Sequence, residues 1–249
     1  MSIALSTAPS QLELHVEPRS ANQIAVANRL PAISRPVNLA VKRTVDLLGS
    51  VVALIILAPV MLAVALLVKA TDPAGPVFYR QNRVGRDGRA IGVLKFRSML
   101  WQYSTGPDRP YRTATEAFRA MGREDLCEEF EIAQKVAHDP RVSMLGRILR
   151  KTSLDELPQL VNVLLGHISL VGPRPVIPAE LERYGQDGAI YLSVKPGITG
   201  LWQISGRSDT GYEERVRLDV RYVMTWNLAL DLLVMIKTVK TVLAREGAY

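Results

Sequence analysis

Two adjacent carboxylates, Asp155 and Glu156, stand in the stretch Thr152-Ser153-Leu154-Asp155-Glu156-Leu157-Pro158-Gln159. Arg147, Arg150 and Lys151 precede them, and Gly172-Pro173-Arg174-Pro175 follows. Acids set among fixed cations suit a metal ion and phosphate groups. A carboxylate can hold the metal or attack, and a guanidinium donates in a planar fork to phosphate oxygens. The same residues also read as a helix start. Ser153-Leu154-Asp155-Glu156 fits a capping box, Pro158 is tolerated in a first turn, and acids there complement the helix dipole. A helix N-terminus favours ionised carboxylates and receives phosphate, so both readings stand together. Neighbouring helical residues point about 100° apart, so one acid can attack while the other holds a metal.

Other chemistries find less support. His15, His138 and His167 lack ligand spacing, so no zinc site is expected. No Walker loop, no Gly-x-Gly-x-x-Gly and no Ser-His-Asp motif occurs. Lys195–Gln203 and Ser205-Gly206-Arg207 form a Gly-rich polar stretch that composition leaves open between a tight connection and a binding loop. Cys127 is the single cysteine, which excludes an intrachain disulfide and points to a reducing compartment. The net charge of +7 suits phosphorylated substrates, an anionic membrane or nucleic acid. Nucleic acid rests on charge alone and is not expected as a partner, given 6% aromatic residues and a long apolar segment.

That segment runs from Leu47 to Val68 without a charged side chain. As a straight helix it would be about 33 Å long, one bilayer core. It begins too far into the chain for a signal peptide. Pro59 removes a backbone donor near its middle and predicts a break into Leu47–Ala58 and Pro59–Val68. Both flanks are basic: Lys42 and Arg43 before it; Lys69, Arg80, Arg83, Arg86 and Arg89 after it. Positive charge belongs on the cytoplasmic side, so a re-entrant helix-break-helix satisfies both flanks where a spanning helix satisfies one.

Around this segment the chain divides into a flexible tail (1–38), the membrane hairpin (39–70) and a cytoplasmic catalytic domain (71–249). The domain is expected to be α+β and mostly helical. Val77–Arg80 and Ile91–Phe96 flank Arg86-Asp87-Gly88-Arg89, which predicts a small β-hairpin that must pack on helices. Glu116–Val136 is helix-compatible, with a solvated charged face. Arg141–Lys151 predicts a basic amphipathic helix, for the bilayer surface or the core. Leu228, Leu232, Met235, Val239 and Val242 predict a C-terminal amphipathic helix with the same two options, Trp226 being the candidate interface anchor.

Several blocks together carry a family resemblance. They are Lys95-Phe96-Arg97-Ser98-Met99, Asp139-Pro140-Arg141, Ser153–Gln159, Ser169–Pro175, Lys195–Gln203 and Asp219-Val220-Arg221-Tyr222. From about Val41 to Tyr249 the chain resembles the bacterial sugar transferases, the monotopic phosphoglycosyl transferases. The resemblance implies transfer of a sugar 1-phosphate, glucose or galactose, from a UDP-sugar to undecaprenyl phosphate with Mg²⁺ and release of UMP, the first membrane step of exopolysaccharide assembly. It implies Asp155 as the nucleophile that carries a covalent phosphosugar and Glu156 as the Mg²⁺ ligand. Lys95, Arg97, Arg150 and Arg174 would bind substrate phosphates or support the acids, and Asp219 and Tyr222 belong to a further family motif. The family's re-entrant helix breaks at Ser-Pro; here the pair is Ala58-Pro59, which lacks the hydroxyl. The implied place is the bacterial inner membrane, with inner-membrane lipids as partners, the catalytic domain on the cytoplasmic face and a homodimer left open. Larger relatives carry extra N-terminal spans, and this chain resembles the small form. The competing expectation is a non-catalytic membrane scaffold or regulator of polysaccharide assembly, indifferent to Asp155 and Glu156.

Overall fold

The uncharged run dictates the longest element. In the computed structural model, which describes residues 33, 35–106, 109–133, 136, 138–205 and 211–244, helix α1 (Pro36–Thr71) contains the whole of it. Pro36 occupies its first turn, where a missing N–H is harmless. The helix continues through Pro59. The expected division into two helices is therefore not observed: one proline removes one ladder bond, and apolar turns on both sides sustain the rest. The tail expected over residues 1–38 lies almost wholly outside the described residues.

Helix α1 touches the rest of the chain near its ends. Its buried residues are Lys42, Asp46 and Ser50 near one end and Val64 and Val68 near the other, each set spaced by four. Between them the surface is open and apolar, with Ile55 70% and Ile56 67% exposed. At one end Lys42 donates to Asp231 (2.7 Å) and to the Tyr222 hydroxyl (3.1 Å), Arg43 donates to the Val163 and Leu164 carbonyls, and Asp46 accepts from Ser169. At the other, Val64 and Val68 pack on Phe96 and Leu149.

Strands β1 (Phe78–Val84) and β2 (Ala90–Phe96) form the expected antiparallel ribbon. Asp87 (φ 58°) and Gly88 (φ 76°) both take left-handed conformations in its turn, the geometry that Asp-Gly tolerates. Helices α2 (Ala114–Ala120) and α3 (Asp125–Ala133) replace the single helix expected over Glu116–Val136. Gly122 (φ 68°) ends the first, and the Arg123 N–H closes back on the Phe118 carbonyl. Helix α4 (Met144–Lys151) starts later than expected from Arg141, because Ser143 caps it through the Gly146 N–H (2.9 Å).

Helix α5 (Gln159–Leu164) follows the acids, and strand β3 (Ser169–Val171) follows α5. Short helices α6 (Pro178–Glu182) and α7 (Gly188–Leu192) lead to strand β4 (Gly197–Thr199), which pairs with β3 in parallel. This small sheet was not expected. Its glycines explain it: a Cβ on Gly197 would lie 2.1 Å from the Gly172 nitrogen, so the Gly-rich stretch is where two backbones meet.

Helices α8 (Tyr212–Thr225) and α9 (Leu228–Ala244) complete the fold. Trp226 is not an interface anchor. It is buried with Tyr222, Val223 and Val234 in a cluster that closes over β3. On α9 the expected apolar stripe faces largely outward, with Leu232 and Val239 exposed, while Asp231 and Val234 face inward. Lys42 is the reason: a buried ammonium needs the Asp231 carboxylate, and that ion pair sets the rotation of the helix.

Candidate active site

The acids do not sit on a capped helix start. Ser153 adopts a left-handed conformation (φ 56°), makes no cap with its side chain, and turns the chain into a single 3-10 turn, Leu154–Glu156. That turn buries Asp155 to 7% exposure and leaves Glu156 half-buried at the rim of a cavity. The expected capping box is thus replaced by a sharper bend, which separates the two carboxylates.

Three contacts fix this turn against its cations. Asn162 on α5 docks the helix to the ribbon, accepting from the Leu94 N–H and donating to the Gly92 carbonyl, both at 2.8 Å. Lys95, next along β2, then donates to Glu156 Oε1 at 2.7 Å. Beyond the strand, α4 lies directly on the chain at Ser98. A Cβ on Gly146 would come 1.8 Å from the Ser98 carbonyl oxygen, so only glycine permits this approach. Arg150 on α4 donates to Ser98 Oγ (2.9 Å), which holds its charge beside Asp155.

Burial raises the Asp155 pKa above the ordinary aspartate range, and the adjacent Glu156 charge adds to the rise. Lys95 and Arg150 oppose it. Burial also lowers the Arg150 pKa, against the pull of Asp155 and Asp139. Among the described residues no side chain donates a hydrogen bond to Asp155. The carboxylate is surrounded by charges without a side-chain hydrogen bond from them among the described residues.

Arg174 lines the same cavity as Glu156 and Lys95. Its lining includes Arg83, Lys95, Glu156, Gln159, Arg174 and Gln203. The Pro-Arg-Pro turn is pinned from both sides: the Gly172 N–H donates to Thr199, the Gly197 N–H to Pro173, and the Val84 N–H to Val176, each at 2.8 Å. Asp219 stands behind it. It accepts from the Tyr184 hydroxyl (2.8 Å) and lies against the Arg174 backbone N–H. Burial pushes the Asp219 pKa up to about 7, with Tyr184 and the Arg174 charge pulling the other way.

The structure therefore brings together Asp155, Glu156, Lys95, Arg150 and Arg174. It places three other expected residues elsewhere. Arg97 is buried and committed to Asp72 and to the Pro76 carbonyl, where it fastens the end of α1. Tyr222 is fully buried in the Lys42–Asp231 anchor and donates to Val171 or Asp231. Asp219 supports Arg174 from behind the cavity. Pro59 lies exposed in the middle of α1. Asp139 and Arg141 pair with each other, and the Arg141 guanidinium lies 4.3 Å over Phe118, so this motif docks the α2–α3 segment.

Sequence reasoning missed Arg83 and Gln159. Strand alternation carried the signal for Arg83, since Tyr79, Gln81 and Arg83 share the Lys95 face of the ribbon. Gln159 was quoted only as the end of a motif.

The matching family model is the bacterial sugar transferase, over residues 37–245, and the chain belongs to this family of transferases. It is 43% identical over 215 residues to the exopolysaccharide production protein ExoY of Rhizobium meliloti, covering 86% of this chain and 91% of that protein. It is 46% identical over 210 residues to the undecaprenyl-phosphate galactose phosphotransferase of Salmonella typhimurium. It is 38% identical over 221 residues to the UDP-glucose:undecaprenyl-phosphate glucose-1-phosphate transferase of Escherichia coli. Those two alignments cover 84% and 86% of this chain but 41% and 42% of the longer enzymes.

Proposed function

We propose that this chain transfers a hexose 1-phosphate from a UDP-sugar to undecaprenyl phosphate, releasing UMP. The observation that carries the reading is the buried Asp155, flanked by Lys95 and Arg150, beside a cavity whose other walls hold Arg83 and Arg174. In the first half-reaction an Asp155 carboxylate oxygen bonds to the sugar-bearing phosphorus, and the bond from that phosphorus to UMP breaks. In the second, an oxygen of undecaprenyl phosphate bonds to the same phosphorus, and the Asp155 carboxylate leaves. No water need enter, and the buried position of Asp155 protects the acyl phosphate from hydrolysis. Lys95, Arg150 and Arg174 offset the phosphate charge that accumulates in both steps.

Mg²⁺ fits this donor set in one way. Among the described residues no group of three or more His, Cys, Asp or Glu side chains could cage a metal. Mg²⁺ is commonly held by one or two carboxylates together with substrate phosphates and water. Glu156, at the cavity rim, is the residue that would hold it, and the ion would neutralise diphosphate charge there.

The protein is further inferred to be monotopic, in the bacterial inner membrane with its catalytic domain on the cytoplasmic face, acting at the first membrane step of exopolysaccharide assembly. Support comes from α1: both ends pack on the same body while the apolar middle is open. An unbroken helix lying within one leaflet would meet both conditions. Single cysteines at Thr44 and Thr71, in a Cys127→Ser background, are expected to label from the same side; labelling from opposite sides means an ordinary span. For the chemistry, radiolabelled UDP-glucose and UDP-galactose are expected to leave label on the wild-type protein and none on Asp155→Asn. Turnover by Asp155→Asn at the wild-type rate overturns the mechanism, and absence of UMP release with every UDP-sugar tried favours a scaffold.

A further inference from the structure

The ribbon face that carries Lys95 has a cation at each end. Tyr79 pairs with Lys95 and Arg83 with Ile91, so Tyr79 and Arg83 mark the two ends of that face. At the Arg83 end, where Arg83 also donates to Glu180 Oε2 (3.0 Å), Arg174 and Arg215 add positive charge; burial lowers the pKa values of Arg83 and Arg215, and repulsion from Arg174 adds to the fall. At the Tyr79 end lies Arg109. Its guanidinium sits 4.8 Å over Trp101 and 5.5 Å over Tyr79. Its Nη1 is buried and finds no hydrogen-bond partner among the described residues. An unsatisfied buried N–H on a cation is unfavourable, and an anionic oxygen is the acceptor that relieves it most.

The Arg109 platform is built on the end of the apolar helix. The Trp101 N–H donates to Asp72 Oδ2 (2.6 Å), and Asp72 is the residue that ends α1. Gly75 lies so close to Trp101 that a Cβ would approach its ring to 2.8 Å. Tyr79 also lies within electrostatic reach of Arg150, and so of the Asp155 surroundings. One end of the site therefore adjoins the last turn of α1, and the other reaches α6 and Arg174.

We propose that the two ends are two phosphate subsites. Arg109 receives the phosphate of the polyprenyl phosphate acceptor at the α1 end, and Arg83 with Arg174 receives the nucleotide diphosphate at the other. The assignment rests on the transferase reading above and divides that site between its substrates. It makes Arg109 a residue of the second half-reaction only. The acceptor phosphate, as a dianion, attacks without giving up a proton, so Arg109 has charge to hold and no proton to move.

The test uses the full chain in nanodiscs, with the two half-reactions measured apart. Arg109→Gln is expected to release one equivalent of UMP from UDP-sugar alone and to take up covalent label as wild type does. Its KM for undecaprenyl phosphate is expected to rise about ten- to a hundred-fold, the loss typical of a hydrogen bond to a charged group, with KM for UDP-sugar little changed. Arg83→Gln is expected to show the opposite split. Equal rises in both KM values for Arg109→Gln, or no change in either, overturn the assignment and leave Arg109 as packing over two rings. If thermal melting shows that Arg109→Gln does not fold, Arg109→Lys decides, with a several-fold rise expected for the lipid alone. A wild-type enzyme that releases no UMP and takes up no label without lipid sinks the covalent mechanism and this assignment together. A normally labelled enzyme with an unaffected Arg109→Gln sinks only the subsites.

Discussion

The Asp231 end and the Asp155 end of the molecule are built from the same residue types and behave differently. Each has a buried carboxylate and a lysine from a distant part of the chain. At Asp231 every oxygen is used: Oδ2 accepts from Lys42 at 2.7 Å and Oδ1 from Tyr222 at 2.7 Å. At Asp155 the lysine reaches past it to Glu156, and Arg150 is turned toward Ser98. The first carboxylate is closed and the second is left open. A closed buried network fixes geometry, whereas an open carboxylate among cations retains the capacity to form a bond.

Substitutions separate the two. If Asp155 is the proposed nucleophile, Asp155→Asn is expected to abolish labelling and lower turnover at least about a thousand-fold, the loss typical when a covalent nucleophile is removed. Its melting temperature is expected to hold or rise, because a buried charge is removed. Lys42→Met is expected to do the reverse, with a loss of about 3–5 kcal/mol of stability from the unpaired Asp231. The double variant Lys42→Met, Asp231→Leu is expected to recover most of that loss. Calorimetry in detergent together with the labelling assay checks both, and an equal loss of fold at the two sites would erase the distinction.

A third buried carboxylate lies between these extremes. Asp219 has its pKa pushed up to about 7 from an ordinary value of 3.8. Its protonated form is favoured by the fold, so the stability it contributes is complete below about pH 4 and is lost as pH rises through about 7. The span is at most about 4 kcal/mol. Asp219→Asn is expected to flatten the fall in melting temperature between pH 5 and pH 8, and an unchanged fall would mean that Asp219 titrates as it does in the unfolded chain. The smallest effect is expected at Gly122→Ala. The left-handed residue between α2 and α3 would lose about 1 kcal/mol with labelling untouched, since this segment lies outside the site.

Much of this architecture was legible in local patterns. The Asp-Gly turn, the uncharged helix and the C-terminal helix each follow from residues close together in sequence. The misplaced side chains share one cause, since each was claimed by a contact from a remote segment. Arg97 carries the same motif as Lys95, yet Asp72 at the end of α1 claims its guanidinium. Tyr222 shares a motif with Asp219, yet Lys42 and Asp231 claim its hydroxyl. Trp226 looked like an interface residue until β3 and α9 enclosed it. Arg109 left no trace in any motif, because its partners Tyr79 and Trp101 come from two other parts of the fold.

The sequence by itself determined the class of chemistry, because a pair of acids among arginines and a long uncharged run need no fold to be read. It also determined the ribbon, whose turn residues act within a few positions of one another. Only the tertiary structure decided which acid is buried, which cations face the cavity and which serve as fasteners. Those outcomes depend on burial and on donors brought from far along the chain, and a charge's role is set by the partner that reaches it first.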